Sequence, residues 1–326
     1  RKRTAAIRDW TKHPNCSTTT RTITQGNLRI RIELSSFSLK HIFRMDKLNI
    51  LLTGANGYIG RHIVSRLVEL GHAVTACDLT FTDKHPEVKH VEYNILQKHP
   101  DDLFSKLGAP DVCLHMAWRD GFVHNSDRHM QDLSAHFDFL KTLIDGGLKR
   151  LAVMGTMHEI GYWEGAIDEH TPCNPVSLYG IAKDALRRSM MWYCGAHDCQ
   201  LQWLRAYYIL GDDAKNHSVF SKILQAAEAG DQTFPFTTGK SQYDFIDVDE
   251  LADQIACAVS QNEVLGIINC CTGRPVSLAE KAERFIAERG LNIRLAYGAY
   301  PDRPYDSPVV YGDPAKIRKI MGIINH

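Results

Sequence analysis

From Leu48 onward, short apolar runs alternate with longer segments whose apolar positions recur every three or four residues. Runs at 48–53 (LNILLT), 73–77 (AVTAC), 89–93 (KHVEY), 111–116 (DVCLHM), 150–155 (RLAVMG) and 201–207 (LQWLRAY) have the length and composition of buried strands. Between them, 60–70 places Ile63, Val64, Leu67 and Val68 on one helical face, and longer helices are expected near 125–146 and 176–196. Strands joined by helices in this rhythm give a parallel sheet covered on both faces. After about residue 212 the rhythm changes. Helices near 218–229, 248–260 and 277–289 alternate with short runs such as 266–271 (GIINCC), which predicts a smaller α/β domain over the carboxyl edge of the sheet. The expected organisation is therefore 1–44 as a basic leader, 45–212 as the sheet domain and 213–326 as a substrate domain, with segments such as 244–262 packing back on the first.

Composition changes this picture at one end. Lys and Arg balance Asp and Glu at 38 each, but ten of the basic residues fall in 1–44 against only Asp9 and Glu33. The remainder carries net −8, which argues against a nucleic-acid-binding body. The leader is basic and rich in Ser and Thr and is expected to be disordered. Met45 reads as the natural start, with a targeting signal as the alternative. No stretch approaches the ~20 apolar residues of a membrane helix. The nine cysteines include no C-x-x-C pair and no zinc-type spacing, so a reduced, cytoplasmic protein without a bound metal is expected.

Candidate chemistry begins directly after the first strand, at Thr53-Gly54-Ala55-Asn56-Gly57-Tyr58-Ile59-Gly60. Glycines at this spacing permit a tight turn, close approach of backbone N–H groups to a pyrophosphate, and close helix–strand packing. Asp78, 24 residues beyond Gly54 at the end of the second strand, can accept both adenosine ribose hydroxyls and repels a 2′-phosphate. With Lys84 but no arginine following, NAD is favoured over NADP. Tyr179 and Lys183 stand four apart, on one helical face. Thr156, at the carboxyl end of the fifth strand, can bind the substrate oxygen whose proton Tyr179 takes or returns.

Taken in order, these motifs resemble the NAD-dependent epimerase/dehydratase family, the extended short-chain dehydrogenases. The resemblance also covers His115-Met116-Ala117, Asp244-Phe245-Ile246-Asp247-Val248-Asp249 and Arg303-Pro304-Tyr305-Asp306. It implies a Rossmann-type doubly wound parallel sheet with a smaller C-terminal substrate domain. It implies NAD held by Gly54, Asn56, Gly57, Tyr58, Ile59, Gly60, Asp78, Asn94, Ile95, Ala117 and Lys183. Thr156, Tyr179 and Lys183 become the catalytic set, with Lys183 lowering the tyrosine pKa. His158, Tyr208 and Arg303 become candidate substrate contacts, and Trp118, Trp163 and His170 candidate pocket walls. Such proteins commonly pair into homodimers through the helices at 125–146 and 176–196.

Departures narrow the reading. The acidic pair that follows the threonine in 4,6-dehydratases is Met157-His158 here, and the usual S-x-x-V-Y-G ends as Glu159-Ile160-Gly161. An asparagine and an arginine that serve the sugar diphosphate are replaced by Tyr208 and Tyr243. The string Gly155-Thr156-Met157-His158-Glu159 resembles the branch with reductases of 4-keto-6-deoxy sugar nucleotides. Reduction of such a nucleotide sugar is therefore the expected reaction, a 4-epimerase the alternative, and a dinucleotide-sensing binding protein a third reading disfavoured by the retained tyrosine and lysine.

Overall fold

The computed structural model describes residues 19–25, 28–34, 47–211, 218–302 and 307–324. In the leader, β1 (Thr19–Gln25) pairs antiparallel with β2 (Leu28–Leu34), Thr19 opposite Leu34 and Gln25 opposite Leu28. TTRTITQ and LRIRIEL alternate with a period of two, carry β-branched Thr and Ile, and flank Gly26-Asn27, a hairpin signal that composition alone conceals. The rest of the leader lies outside the described residues.

From Asn49 the chain runs through β3 (Asn49–Thr53), α1 (Tyr58–Glu69), β4 (Ala73–Asp78), β5 (Lys89–Glu92), α2 (Leu103–Lys106) and β6 (Val112–His115). Next come α3 (Arg128–Gln131), α4 (Leu133–Asp145), β7 (Arg150–Thr156), β8 (Gly165–Ile167), α5 (Leu178–Ala196), β9 (Gln200–Ala206) and β10 (Tyr208–Leu210). The remainder comprises α6 (Val219–Glu228), β11 (Thr233–Pro235), β12 (Gln242–Asp247), α7 (Val248–Ser260) and β13 (Gly266–Cys270). It ends with β14 (Pro275–Ser277), α8 (Leu278–Glu288), β15 (Arg294–Ala296), β16 (Val309–Gly312) and α9 (Ala315–Ile324). The single helix expected at 125–146 is two, separated at Asp132, whose carboxylate accepts from Arg119 Nε at 2.8 Å and Nη2 at 2.6 Å.

Seven parallel strands form the main sheet in the order β13-β9-β7-β6-β3-β4-β5. The chain's direction of growth reverses between β3 and β6, and a crevice opens at their carboxyl ends, where doubly wound sheets bind ligands. One face is covered by α1 and α7, joined by a His62–Asp249 contact at 2.7 Å and an Arg66–Asp253 ion pair at 2.7 Å. Phe139, Leu140 and Leu143 of α4 and Leu186 and Met190 of α5 pack into one buried cluster with Leu51, Cys113, Val153 and Trp203 of the sheet. Residues 266–271, expected in the smaller domain, supply the seventh strand of this sheet instead. Ile267, Ile268, Asn269 and Cys270 are all buried, which an outer position beside β9 under α7 satisfies.

The smaller sheet runs β10-β12-β16-β8, with β14 antiparallel to β12. Its core joins Tyr243, Phe245 and Val310 of the sheet to Phe220 and Ile223 of α6. Since β8 comes from before α5 and β13 from after α7, the two halves of the chain interleave.

Candidate active site

Strands β3 to β7 of the main sheet and helix α5 deliver the site residues. At the end of β3 the chain turns through Gly54, whose φ of +72° is a left-handed conformation that disfavours a side chain. A Cβ on Gly54 would lie 2.7 Å from Ala117 N, so this turn and the end of β6 touch backbone to backbone. A Cβ on Gly60 would lie 2.1 Å from the Gly54 carbonyl oxygen. Gly57 is the N-cap of α1 and no side chain caps that helix, so its first N–H groups, from Tyr58, Ile59 and Gly60, face outward as an anion cradle. Asp78, at the end of β4, accepts from Asn56 N–H at 2.8 Å through one oxygen and from Leu79 N–H at 2.8 Å through the other. The carboxylate and the glycine turn are thus one hydrogen-bonded unit. These features fit a dinucleotide. Beyond β5, Asn94 Oδ1 accepts from Leu96 N–H at 3.0 Å, and Ile95 is buried in the main core.

Thr156 ends β7 and is buried. Its N–H donates to Glu159 Oε1 at 2.8 Å and its hydroxyl accepts from His158 N–H at 3.3 Å, a reciprocal cap over the short turn Met157–Glu159. Ser177 caps α5 by accepting from Gly180 N–H at 3.2 Å. A Cβ on Gly180 would stand 2.3 Å from the His158 carbonyl oxygen, so only glycine lets α5 press this close to the turn. That approach brings the Tyr179 phenol to Thr156. Burial pushes the phenol's pKa up, the neighbouring Thr156 hydroxyl pulls it down, and Glu159 raises it further, the net direction being upward.

Lys183 follows one turn later, buried, with Nζ donating to the Met154 carbonyl at 2.9 Å and lying 3.9 Å from the centre of the Trp118 ring. Burial pushes its pKa down to about 7, against the opposing pull of Glu159. One Lys183 donor is thus used on the Met154 carbonyl and its charge rests over the Trp118 ring, while the Thr156 hydroxyl is the neighbour that draws the Tyr179 pKa down.

Around these residues stands a wall in which His158 was expected and His124 and His129 were not. His124 stacks on Tyr179 with ring centres 5.5 Å apart, His129 lies 5.2 Å away, and His158 packs at 4.3 Å on His124. Backbone ties hold the loop, with Tyr179 N–H donating to the His124 carbonyl at 2.9 Å and Leu178 N–H to Asn125 Oδ1 at 3.3 Å. Burial first and His124 second push His158 down to about 4, so it is a neutral imidazole at pH 7. Behind the wall, Trp118 stacks on His136 at 4.5 Å, and a buried chain runs from Thr53 Oγ1 to His115 (2.9 Å) to His136 (3.0 Å). Of the other expected wall residues, Trp163 packs on the smaller core and His170 is exposed, so neither joins Tyr179. Tyr208 sits on β10 with its ring 4.3 Å from Tyr243. Arg303 lies outside the described residues.

Comparison with known proteins now decides the family. Residues 50–271 match the NAD dependent epimerase/dehydratase family. The chain belongs to that family. It is 41% identical over 272 residues, 81% of this chain and 99% of the relative, to the dTDP-6-deoxy-L-talose 4-dehydrogenase (NAD(+)) of Aggregatibacter actinomycetemcomitans. It is 24% identical over 304 residues, 84% of this chain and 91% of the relative, to the UDP-glucose 4-epimerase of Lactobacillus helveticus. Among solved structures, the UDP-glucose 4-epimerase of Stenotrophomonas maltophila with bound NAD and formylated UDP-arabinopyranose superposes with a TM-score of 0.74. That likeness covers 84% of this chain and 92% of the other at 19% identity. As a member of the epimerase/dehydratase family the chain is an NAD-dependent enzyme. Among its described residues, no helix is long and apolar enough to cross a membrane.

Proposed function

We propose that this enzyme is an oxidoreductase acting at C4 of a nucleotide-linked 6-deoxy sugar, reducing a 4-keto group with Tyr179 as proton donor. The observation that carries the reading is the 41% identity along 99% of a 6-deoxy-sugar nucleotide 4-dehydrogenase. The site supports it. The Tyr179 phenol, beside Thr156 at the end of β7, is protonated at neutral pH and can give its proton to a developing alkoxide. The Thr156 hydroxyl, next to that phenol and fixed by His158 N–H, steadies the same oxygen. Lys183 is within one helical turn and, with one of its three donors used by the Met154 carbonyl, keeps two for other partners.

NAD, when bound, supplies the hydride-carrying chemistry. Gly54, Asn56, Gly57, Tyr58, Ile59 and Gly60 would hold its pyrophosphate and Asp78 its adenosine ribose. Asn94 and Ile95 would border the adenine, with Ala117 and Lys183 at the nicotinamide ribose. His158, beside the threonine turn, is the candidate sugar contact, and Tyr208 and Arg303 are the candidate contacts to the nucleotide. The test supplies dTDP-4-keto-6-deoxy sugars with NADH. Consumption of one NADH per sugar reduced is the expected result, and no consumption with any 4-keto sugar nucleotide overturns the reading.

The likeness to 4-epimerases favours a second reading, in which the same residues interconvert two nucleotide sugars epimeric at C4. That reading requires interconversion without net NADH use, so the same assay separates the two. We also propose a cytoplasmic homodimer. Met191 and Trp192 leave α5 exposed at 45% and 72%, an apolar face suited to a second copy across α4 and α5. Light scattering should give twice the chain mass, and Trp192→Lys should shift it toward the monomer.

A further inference from the structure

We infer that Glu159 is a positioning residue, holding Thr156 in register with Tyr179 for the reaction proposed above, on which this inference rests. The carboxylate is fully buried. It stands at the position of the valine in the S-x-x-V-Y-G pattern that the resembling family commonly shows. Valine would fill that slot without cost, whereas a buried carboxylate gives up its hydration and must be compensated on every side. Compensation is complete here. Oε1 accepts from Thr156 N–H at 2.8 Å and from the Trp203 indole N–H at 2.9 Å. Oε2 faces Arg205 Nη2 at 3.3 Å and Arg187 Nε at 3.6 Å.

These partners come from three elements. Thr156 ends β7, Trp203 and Arg205 lie on β9, and Arg187 lies on α5 one turn past Lys183, where it also donates to Asp184 at 3.1 Å. One side chain therefore ties the threonine to the helix that carries Tyr179. The backbone is cleared for it. A Cβ on Gly155 would lie 2.2 Å from Trp203 Nε1 and 2.8 Å from Glu159 Oε1, so a larger residue there would part the indole from the carboxylate. With its N–H held by Glu159 and one hydroxyl lone pair taken by His158 N–H, Thr156 keeps its hydroxyl proton and second lone pair for Tyr179 and the substrate oxygen.

The test is a kinetic cycle on the full chain with a 4-keto sugar nucleotide, or whichever substrate the enzyme turns over. Glu159→Val should lower kcat about 30-fold while KM and the NAD Kd stay within threefold. Glu159→Gln, whose amide oxygen still accepts from both N–H donors, should recover kcat to within threefold of wild type. Thr156→Val alone should lower kcat at least tenfold, and adding Glu159→Val to it should cost less than a further twofold. An equal loss from Glu159→Val in the wild-type and Thr156→Val backgrounds overturns the inference, because the residue then serves stability alone. Unchanged kcat in Thr156→Val overturns the role of Thr156 itself. Should Glu159→Val not fold, Trp203→Phe removes only the indole donor that pins Oε1. It should lower kcat three- to tenfold with Thr156 present and leave kcat unchanged in the Thr156→Val background.

Discussion

Replacing Gly60 by alanine tests the phosphate turn at its tightest point. The new Cβ would stand 2.1 Å from the Gly54 oxygen and 3.0 Å from Ala55 Cα. Ordinary C···O approach is about 3.3 Å, so α1 and the turn must part by about 1 Å. Both obstructing atoms are backbone, and neither can rotate away. The turn is also tied, Gly54 N–H donating to the Cys77 carbonyl at 2.9 Å and Gly57 N–H to the Gly54 carbonyl at 3.1 Å. Losing one such bond costs about 1 kcal/mol, and overpacking about 1–3 kcal/mol. For a protein of this size a total near 3 kcal/mol lowers Tm by about 4–5 °C. Moving the N-terminal amides of α1 by the same distance should weaken NAD binding at least tenfold, about 1.4 kcal/mol. Titration calorimetry measures the Kd and scanning calorimetry the Tm. Gly71→Ala is the control. Its φ is +87° but no atom lies within 4 Å of a Cβ, so it should cost some stability and leave the Kd unchanged. Gly60→Ala with wild-type Kd and Tm would refute the packing argument.

Three further outcomes follow from the same structure. Asp78→Ala should cut the preference for NAD over NADP at least tenfold, measured as the ratio of the two Kd values, and should also loosen the turn through loss of the Asn56 N–H bond. Tyr179→Phe should lower turnover ~100-fold or more with NAD affinity nearly intact, because only the proton-carrying oxygen is removed. Stability should fall as pH drops below about 6.5. Burial first, and Lys183 second, hold the His136 imidazole at about 3 against an ordinary 6.5, so the folded state binds its proton later than the unfolded chain. The full loss by pH 3 is at most about 5 kcal/mol for this group. His136→Phe should flatten the denaturant-midpoint profile between pH 6.5 and 4.

Much of this was legible in the sequence for a physical reason. Strands β3, β4, β6 and β7 are apolar runs bounded by glycine or polar turns, and the motifs sit at their carboxyl ends, where topology directs them to one crevice. What resisted reading was non-local. The run at 266–271 looks the same whether it joins the large sheet or the small one, since its period says only that it is buried. His124 and His129 belong to no motif; His124 reaches Tyr179 from the aperiodic loop 118–127, pinned by main-chain bonds, and His129 from the short helix α3 that follows it. That Lys183 also meets the Met154 carbonyl and the Trp118 ring was not legible either, because spacing on a helix says nothing of a nearby carbonyl or indole. Glu159 was visible as a departure from the family pattern, but its meaning depended on Trp203 and Arg205, more than forty residues away.

The pairing of β8 with β16, Gly165 beside Val310, also has a consequence for how the protein is made. At ~5–20 residues per second, a ribosome needs roughly 7–30 s to pass from one strand to the other. For most of that interval the nascent chain contains every residue from the glycine turn to Lys183, yet the segment leaving Thr156 has no partner for its edge. Activity should therefore be the last property acquired in synthesis. A message truncated before Val309 would yield a chain with all seven strands of the main sheet and an open β8, a ready target for chaperones and proteases.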